Sequence, residues 1–355
     1  WVVVGFSLAF GDSIGGAGSG IIGNPATFFM FRGVHGHTHP DLAPTIPLAL
    51  FAMFQLKFAI ITPALITGSF AGRVRFRAYM LFICLFTLFI YAPLAHMTWH
   101  PNGLFRNWGV LDFAGGTVVH MSAGFAALAG AIFLGKRKDY NKPMQPANIP
   151  FVLLGAGLLW FGWFGFNAGS ALGANATATL ALLNTNTASA AAMLAYIFFD
   201  AAKGKKPSAM GASIGLVVGL VAITPAAGFV NVGSSIFIGV AASIISNIAI
   251  NYFGHRSNID DTLDVFPAHG VGGITGMILT AVFASGVGLI YGEFETFGYH
   301  ILALVIVTIF ALGGSFALYW VTNKIIGMRV TPNSEKIGLD LSQHSETYGF
   351  EYKKE

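Results

Sequence analysis

Two histidines stand in stretches otherwise suited to a membrane interior. His120 lies in DFAGGTVVHMSAGFAALAGAIFLGKR, from Asp112 to Arg137, and His269 lies in DVFPAHGVGGITGMILTAVFA, which opens at Asp264. A neutral imidazole offers one N–H donor and one bare nitrogen acceptor, so a pair of them can bond to each other and still present hydrogen-bonding groups to a passing solute. Ionisable groups at membrane depth are expensive, and they face the bundle interior or a pathway. Taken alone, the pair also fits a satisfied core contact with no function. Of the other candidates, His35, His37 and His39 form a short His-rich run with no acid or cysteine cluster to complete a metal set. The single cysteine, Cys84, falls in an apolar run where packing explains it.

The elements that must position these residues are membrane spans. The chain has 355 residues, of which 55% are hydrophobic and only 10% charged, with 45 glycines and a mean hydropathy of +0.69. Soluble domains carry about 25% charged residues, so an ordinary soluble fold is excluded. About 22 uncharged residues between Asp112 and Lys136 suffice, at about 1.5 Å rise each, to cross a hydrocarbon core of about 30 Å. As a continuous helix this span would put His120 roughly 12 Å from Asp112. Its many Gly and Ala residues allow close helix approach and mark it as central. Full spans are expected at 45–70, 78–99, 112–135, 149–171, 176–202, 208–226, 232–253, 264–285 and 298–326, after a half span from Trp1 to Gly11. Gly162, Gly165, Gly169 and Gly173 recur at spacings of three or four and predict a close-packing face.

Charge sets the topology. Arg73/Arg75/Arg77, Lys136/Arg137/Lys138/Lys142, Lys203/Lys205/Lys206, Arg256 and the C-terminal cluster occupy alternate loops. The positive-inside rule therefore makes these loops and the C-terminus cytoplasmic, and it leaves no continuous basic face for nucleic acid. The two histidine spans then run in opposite senses, Asp112 entering from outside and Asp264 from inside. Such copies predict an inverted repeat with its site at the repeat interface. The polar stretch containing GDSIGGAGSG and HGHTHPD reads as an extramembrane loop, and the end of the chain as a polar tail without a strong helical period.

A lining of neutral histidines, aromatics and hydroxyls, with no ring of acids, suits a small solute that can shed a proton rather than a metal cation. Aromatic faces attract a cation by about 0.5–2 kcal/mol. Here the chain resembles the ammonium transporter family (Amt/Mep/Rh), on its Amt side. The resemblance rests on Asp112–Arg137, GWFGFNAGS at Gly162–Ser170, DVFPAHG at Asp264–Gly270, AHMTW at Ala95–Trp99 and GLDLSQH at Gly338–His344. It implies an all-α polytopic membrane bundle, an inverted five-plus-five repeat with an extra helix, in which this chain lacks the first span and part of the second. It also implies a homotrimer with a pore in each protomer, a transmembrane domain over residues 1–328 and a cytoplasmic tail over 329–355. By the same resemblance, His120 and His269 are the pore histidines, Phe58 and Phe166 the phenyl gate, and Trp99, Ser170 and Phe58 the outer site that recruits ammonium or its analogue methylammonium. Asp112 shapes that vestibule, and it reads equally as an N-cap and dipole partner of its span, as does Asp264. Phe54 and Thr224 are weaker candidates. No cofactor or metal is implied. A PII-type signal protein on the cytoplasmic face is implied as a partner. An ammonium sensor of the same fold, signalling through its C-terminus, is the competing function, and an intramembrane enzyme lacks a nucleophile or metal set near the histidines. Lys57, directly before Phe58, either snorkels or pairs within the bundle. Facing the vestibule instead, it would repel ammonium.

Overall fold

The computed structural model describes residues 1–16, 18–140 and 146–347, so Lys142 and the last residues of the tail lie outside the described residues. Eight helices there are long and apolar enough to cross a membrane. In chain order, a short helix α1 (Gly5–Phe10) leads into two small antiparallel hairpins, β1 (Ser13–Ile14) with β2 (Ile22–Gly23) and β3 (Thr38–His39) with β4 (Ala43–Pro47). The spanning helices are α2 (Leu48–Phe70), α3 (Phe76–Trp99), α4 (Gly116–Leu134), α5 (Ile149–Ala171), α6 (Ala176–Ala202), α8 (Val232–Arg256), α9 (Phe266–Phe283) and α10 (Phe294–Ile325). Between α6 and α8 stands α7 (Ala209–Ile223), a shorter apolar helix.

α7 corrects the expectation of a ninth full span at 208–226. Its 15 residues reach only about 22 Å. Pro225 has no N–H with which to extend the ladder, and the chain continues in turns to Val230. The tail is likewise more ordered than its composition suggests, forming α11 (Pro332–Ile337) and a π-helical turn at Asp340–His344.

The burial of the helices ranks them. α4 is 83% buried along its apolar window and α5 only 6%, so α4 is the central helix and α5 a peripheral one. Five of the helices start on a side chain that accepts the N–H three residues on, Asn148, Asn175, Ser208, Asn231 and Thr331, the usual remedy for unpaired N-terminal donors. α4 and α9 begin differently, each with a π-helical turn, Gly116–Met121 and Phe266–Val271 respectively, that carries its histidine. Single π-turns concentrate at functional sites. The two helices cross backbone to backbone. A Cβ on Gly124 would stand 2.3 Å from Gly270 N, so only glycine permits the approach that brings the histidine turns together.

Not every small residue serves this purpose. A Cβ at Gly162 or Gly165 would meet no atom of another element within 4 Å, and of the expected packing face only Gly169 is crowded, by the Phe54 ring. Their face belongs to the exposed side of α5, with Leu154, Leu158 and Phe161. Cys84 is likewise exposed on α3 rather than packed.

At the end of the bundle bearing the basic loops, Arg73 is fully buried. It donates to Asp260 Oδ2 at 3.2 Å, to the Asp260 carbonyl at 2.7 Å and to Thr262 Oγ1 at 3.2 Å, and also to the carbonyls of Ser69 and Gly135. Arg137 donates to the same carboxylate at 3.0 Å. A buried guanidinium needs such acceptors; here both terminal nitrogens have them while Nε has none, and the group ties together the three loops beneath the histidine helices.

Candidate functional site

His120 and His269 meet at the centre of the bundle, exposed by 0% and 8% respectively. Their Nδ1 atoms are 3.2 Å apart. Because each neutral ring carries one proton, one Nδ1 donates and the other accepts. Thr224, at the end of α7, decides which. Its hydroxyl donates to the Leu220 carbonyl at 2.8 Å and accepts from Trp163 Nε1–H at 2.9 Å. With its only hydrogen engaged, Thr224 Oγ1 can only accept from His120 Nε2, 3.3 Å away. His120 is therefore the Nε2–H tautomer, its Nδ1 accepts from His269 Nδ1–H, and His269 Nε2 is left as a bare acceptor.

An aromatic column continues from this pair. Trp163 lies nearly parallel to His120 at 5.4 Å and 15°, and Phe166, one helical turn along α5, lies 6.0 Å from the same imidazole at 17°. Phe58 on α2 meets Phe166 at 4.6 Å, tilted by 57°, and meets Trp99 at 5.4 Å edge to face. Beyond Phe58 opens a vestibule of about 360 Å³ lined by Phe54, Gln55, Phe58, Trp99, Asp112 and Ser170, among others. Ser170 Oγ–H donates to the Phe166 carbonyl at 2.9 Å, so the lone pairs of its oxygen remain to accept a hydrogen bond. Trp99 Nε1–H donates to the Asp112 carbonyl at 3.0 Å, which fixes the indole ring in the vestibule wall.

Asp112 lines the vestibule, but its carboxylate is engaged with the helix behind it. Oδ1 accepts from Gly115 N at 2.8 Å and Gly116 N at 2.6 Å, and Oδ2 from Thr117 N at 2.7 Å and Thr117 Oγ1 at 2.5 Å. It satisfies the first donors of α4 and places negative charge at the positive end of that helix. Gly115, at φ 117°, makes the turn, and a Cβ there would meet Val119 at 2.6 Å. The helix therefore starts at Gly116, not at Asp112, and His120 lies in its first turn.

On the other histidine helix the expected counterpart is Asp264, and the structure assigns that position to Asp261 instead. Asp261 Oδ2 accepts from Phe266 N at 2.7 Å, five residues on, as Asp112 does from Thr117. Asp264 sits at φ 53° and begins the helix through its carbonyl, which accepts from Ala268 N at 3.0 Å. Burial pushes both carboxyls up, Asp261 to about 6, where the N–H bonds from Phe266 and Val265 and the charge of Arg73 pull the other way, and Asp264 to about 7 with Asp261 adding to the effect.

Lys57 is exposed on the outer face of α2 with Leu50, Met53 and Ile60, away from the vestibule. His35 and His37 face each other at 5.3 Å on the loop, and among the described residues no cluster of three His, Cys, Asp or Glu side chains has metal-binding geometry. The residues that sequence reasoning missed are Trp163 and Asp261. Trp163 sits three residues before Phe166 on one helical face, and Asp261 stands eight residues before His269, as Asp112 does before His120.

Residues 1–348 match the Ammonium Transporter Family. The chain is 46% identical to an ammonium transporter of Aquifex aeolicus over 98% of its own length and 80% of that protein's, and 41% identical to an ammonium transporter of Bacillus subtilis over 98% and 85%. Among solved structures, it superposes on Mep2 of Saccharomyces cerevisiae with a TM-score of 0.86 at 34% identity, covering 94% of this chain and 78% of that one. It superposes on a protein titled Sensor Amt Protein with a TM-score of 0.85 at 31% identity, covering 96% and 85%. With its helices long enough to span a bilayer, its buried histidine pair and these relatives, the chain is a multi-pass membrane protein, not an enzyme, and it belongs to the ammonium transporter family.

Proposed function

We propose that this chain transports ammonium across the membrane, drawing the cation into the aromatic vestibule, stripping a proton from it, and conducting ammonia past the histidine pair. The observation that carries the reading is the line of rings from Trp99 through Phe58 and Phe166 to His120, ending on the Nδ1–Nδ1 contact of 3.2 Å. At the outer end, the faces of Trp99 and Phe58 attract a cation by about 0.5–2 kcal/mol, and Ser170 Oγ accepts one of its hydrogen bonds. Phe58 and Phe166 close the path inward. Beyond them the two histidines bond to each other and to Thr224, all neutral groups, and an ion would bear a desolvation cost far above what the rings return. A neutral ammonia has no such cost, and it finds an acceptor at His269 Nε2. The proton travels with it or by a separate route.

The second reading is an ammonium sensor, favoured by the likeness to the Sensor Amt Protein. The described tail packs against the cytoplasmic loops, which gives either function a route to the interior. The rest of the assignment follows the same reading. Residues 1–328 form the transporting domain, residues 329–355 a cytoplasmic tail, and the protein sits in the cell membrane as a homotrimer. The exposed apolar face of α5 is available for subunit contact, and the basic loops offer a docking surface to a PII-type protein. Reconstituted in proteoliposomes, the protein should carry ammonium and methylammonium down their gradients. A protein that binds both and passes neither would establish the sensor instead.

A further inference from the structure

The segment from Val110 to Gly115 belongs to no helix, yet it sets both the vestibule wall and the start of α4. Its backbone is held by groups from other elements. The Phe113 N–H donates to the Pro225 carbonyl at 3.1 Å, and the Asp112 carbonyl accepts from Trp99 Nε1–H at 3.0 Å. The Leu111 N–H donates to Nε2 of His300 at 2.9 Å. His300 is fully buried in the first turns of α10, and the ring of its neighbour Tyr299 stacks on Trp108 at 5.6 Å and 27°. As an acceptor at Nε2 the imidazole must be neutral with its proton on Nδ1.

We infer that His300 is a positioning residue for ammonium recruitment, its Nε2 holding the Leu111–Asp112 backbone so that the Asp112 carbonyl fixes the Trp99 ring against Phe58. The inference rests on reading Trp99, Phe58 and Ser170 as the recruiting site. A core histidine with no such role would account for its burial, but not for its bond to the residue directly before the group that orients Trp99. The chain of contact is short, with His300 on Leu111 N, Asp112 O on Trp99 Nε1, and Trp99 edge to face with Phe58 at 5.4 Å. Loss of the acceptor leaves the half-buried Leu111 N–H without its partner and lets the indole drift. The effect belongs to the affinity of the outer site and not to conduction deeper in.

The test is methylammonium uptake by proteoliposomes containing the parent protein, His300→Gln, His300→Leu and Trp99→Leu. Glutamine places an amide oxygen where Nε2 stood, and leucine has no acceptor. His300→Leu should raise KM about three- to tenfold, the fold-change expected for one hydrogen bond, with the maximal rate per folded protein held within about twofold. His300→Gln should keep both close to the parent. If His300→Leu fails to fold, His300→Asn, polar but too short to reach Leu111, is read the same way: a raised KM supports the inference and a parental KM overturns it. Equal KM increases in the Gln and Leu variants would also overturn it, since the acceptor would then be irrelevant. A raised KM in Trp99→Leu together with a parental KM in His300→Leu removes the role of His300 and leaves the recruiting site standing. A parental KM in Trp99→Leu removes the recruiting site itself.

Discussion

Asp112 and Asp261 are counterparts: each stands eight residues before a buried histidine, and each accepts the backbone N–H five residues on, both at 2.7 Å. The two copies of the histidine helix thus share a way of starting as well as a histidine, and a π-helical first turn in each case. Their environments differ. The carboxylate of Asp112 has four donors at 2.5–2.8 Å, whereas Asp261 is half-buried with one oxygen, Oδ1, inaccessible and unpaired.

That difference has a pH signature at the Asp261 end. Asp261 and Asp264 titrate in the folded protein at about 6 and about 7, above the ordinary 3.8, because burial disfavours their charged forms. The folded state then binds more protons than the unfolded state between about pH 4 and 7, so stability falls as pH rises through that window and levels off above it. Asp264→Asn removes the buried charge and keeps a residue that tolerates the left-handed backbone. Its stabilisation relative to the parent should be larger at pH 8 than at pH 5 by about 2 kcal/mol. Melting curves at the two pH values, with an equal gain at both, would sink the assignment.

Thr224→Val should damage the site without changing its volume much. Valine leaves both His120 Nε2–H and Trp163 Nε1–H without their acceptor, a cost of about 1–3 kcal/mol for each buried donor. It also frees the tautomer that Thr224 imposes on the histidine pair. We expect a lower melting temperature and an ammonium flux reduced about tenfold, the equivalent of about 1.4 kcal/mol in barrier. Thr224→Ser, which retains the hydroxyl, should restore both. A valine variant with parental flux would show that the tautomer is not controlled from Thr224.

Asp260→Asn tests the buried charge network. Arg73 has no solvent access, and Asp260 is its carboxylate partner at 3.2 Å as well as that of Arg137. Removing the negative charge while leaving the buried guanidinium should cost about 3–5 kcal/mol. Adding Arg73→Met should recover part of that loss, because the stranded charge goes with it. A double variant less stable than Asp260→Asn alone would refute the account.

Much of this architecture is legible in the chain because lipid leaves so few options. Spans declare themselves by length and hydropathy, and an internal histidine such as His120 is conspicuous against an apolar run. What the sequence conceals depends on three-dimensional contacts. Asp264 opens the DVFPAHG motif and Asp261 lies outside it, yet the left-handed backbone of Asp264 turns it out of the capping position. The 208–226 stretch is uncharged throughout, and only Pro225 marks where the helix must stop. Gly162 and Gly165 have the spacing of a packing face, but spacing cannot say whether the partner lies within the same chain. Trp163 was hidden among six tryptophans and 33 phenylalanines, where composition gives no reason to prefer one ring to another.

The tail supplies the last prediction, and its contacts divide it in two. Arg329 and Val330 are stitched into the bundle: the Arg329 guanidinium donates to the carbonyls of Leu134 and Lys136, both at 2.7 Å, and Val330 N–H donates to the Arg73 carbonyl at 2.9 Å. Further on, Gln343 makes a lighter contact. Its Oε1 accepts from Phe76 N at 2.8 Å, its Nε2 donates to the Val74 carbonyl at 3.2 Å, and the His344 ring meets Phe76 edge to face at 5.0 Å. These bonds cap the first turn of α3, in the loop that also carries Arg73, and so reach the network beneath His269. A chain cut after Met328 should lose stability, since it strips Arg329 and Val330 from the bundle. A chain cut after Ile337, or the single change Gln343→Ala, should keep its melting temperature while ammonium flux falls about two- to fivefold, as expected for a coupling of about 0.5–1 kcal/mol. Unchanged flux in both would mean that the Gly338–His344 segment packs on the loops without holding them in a conducting arrangement.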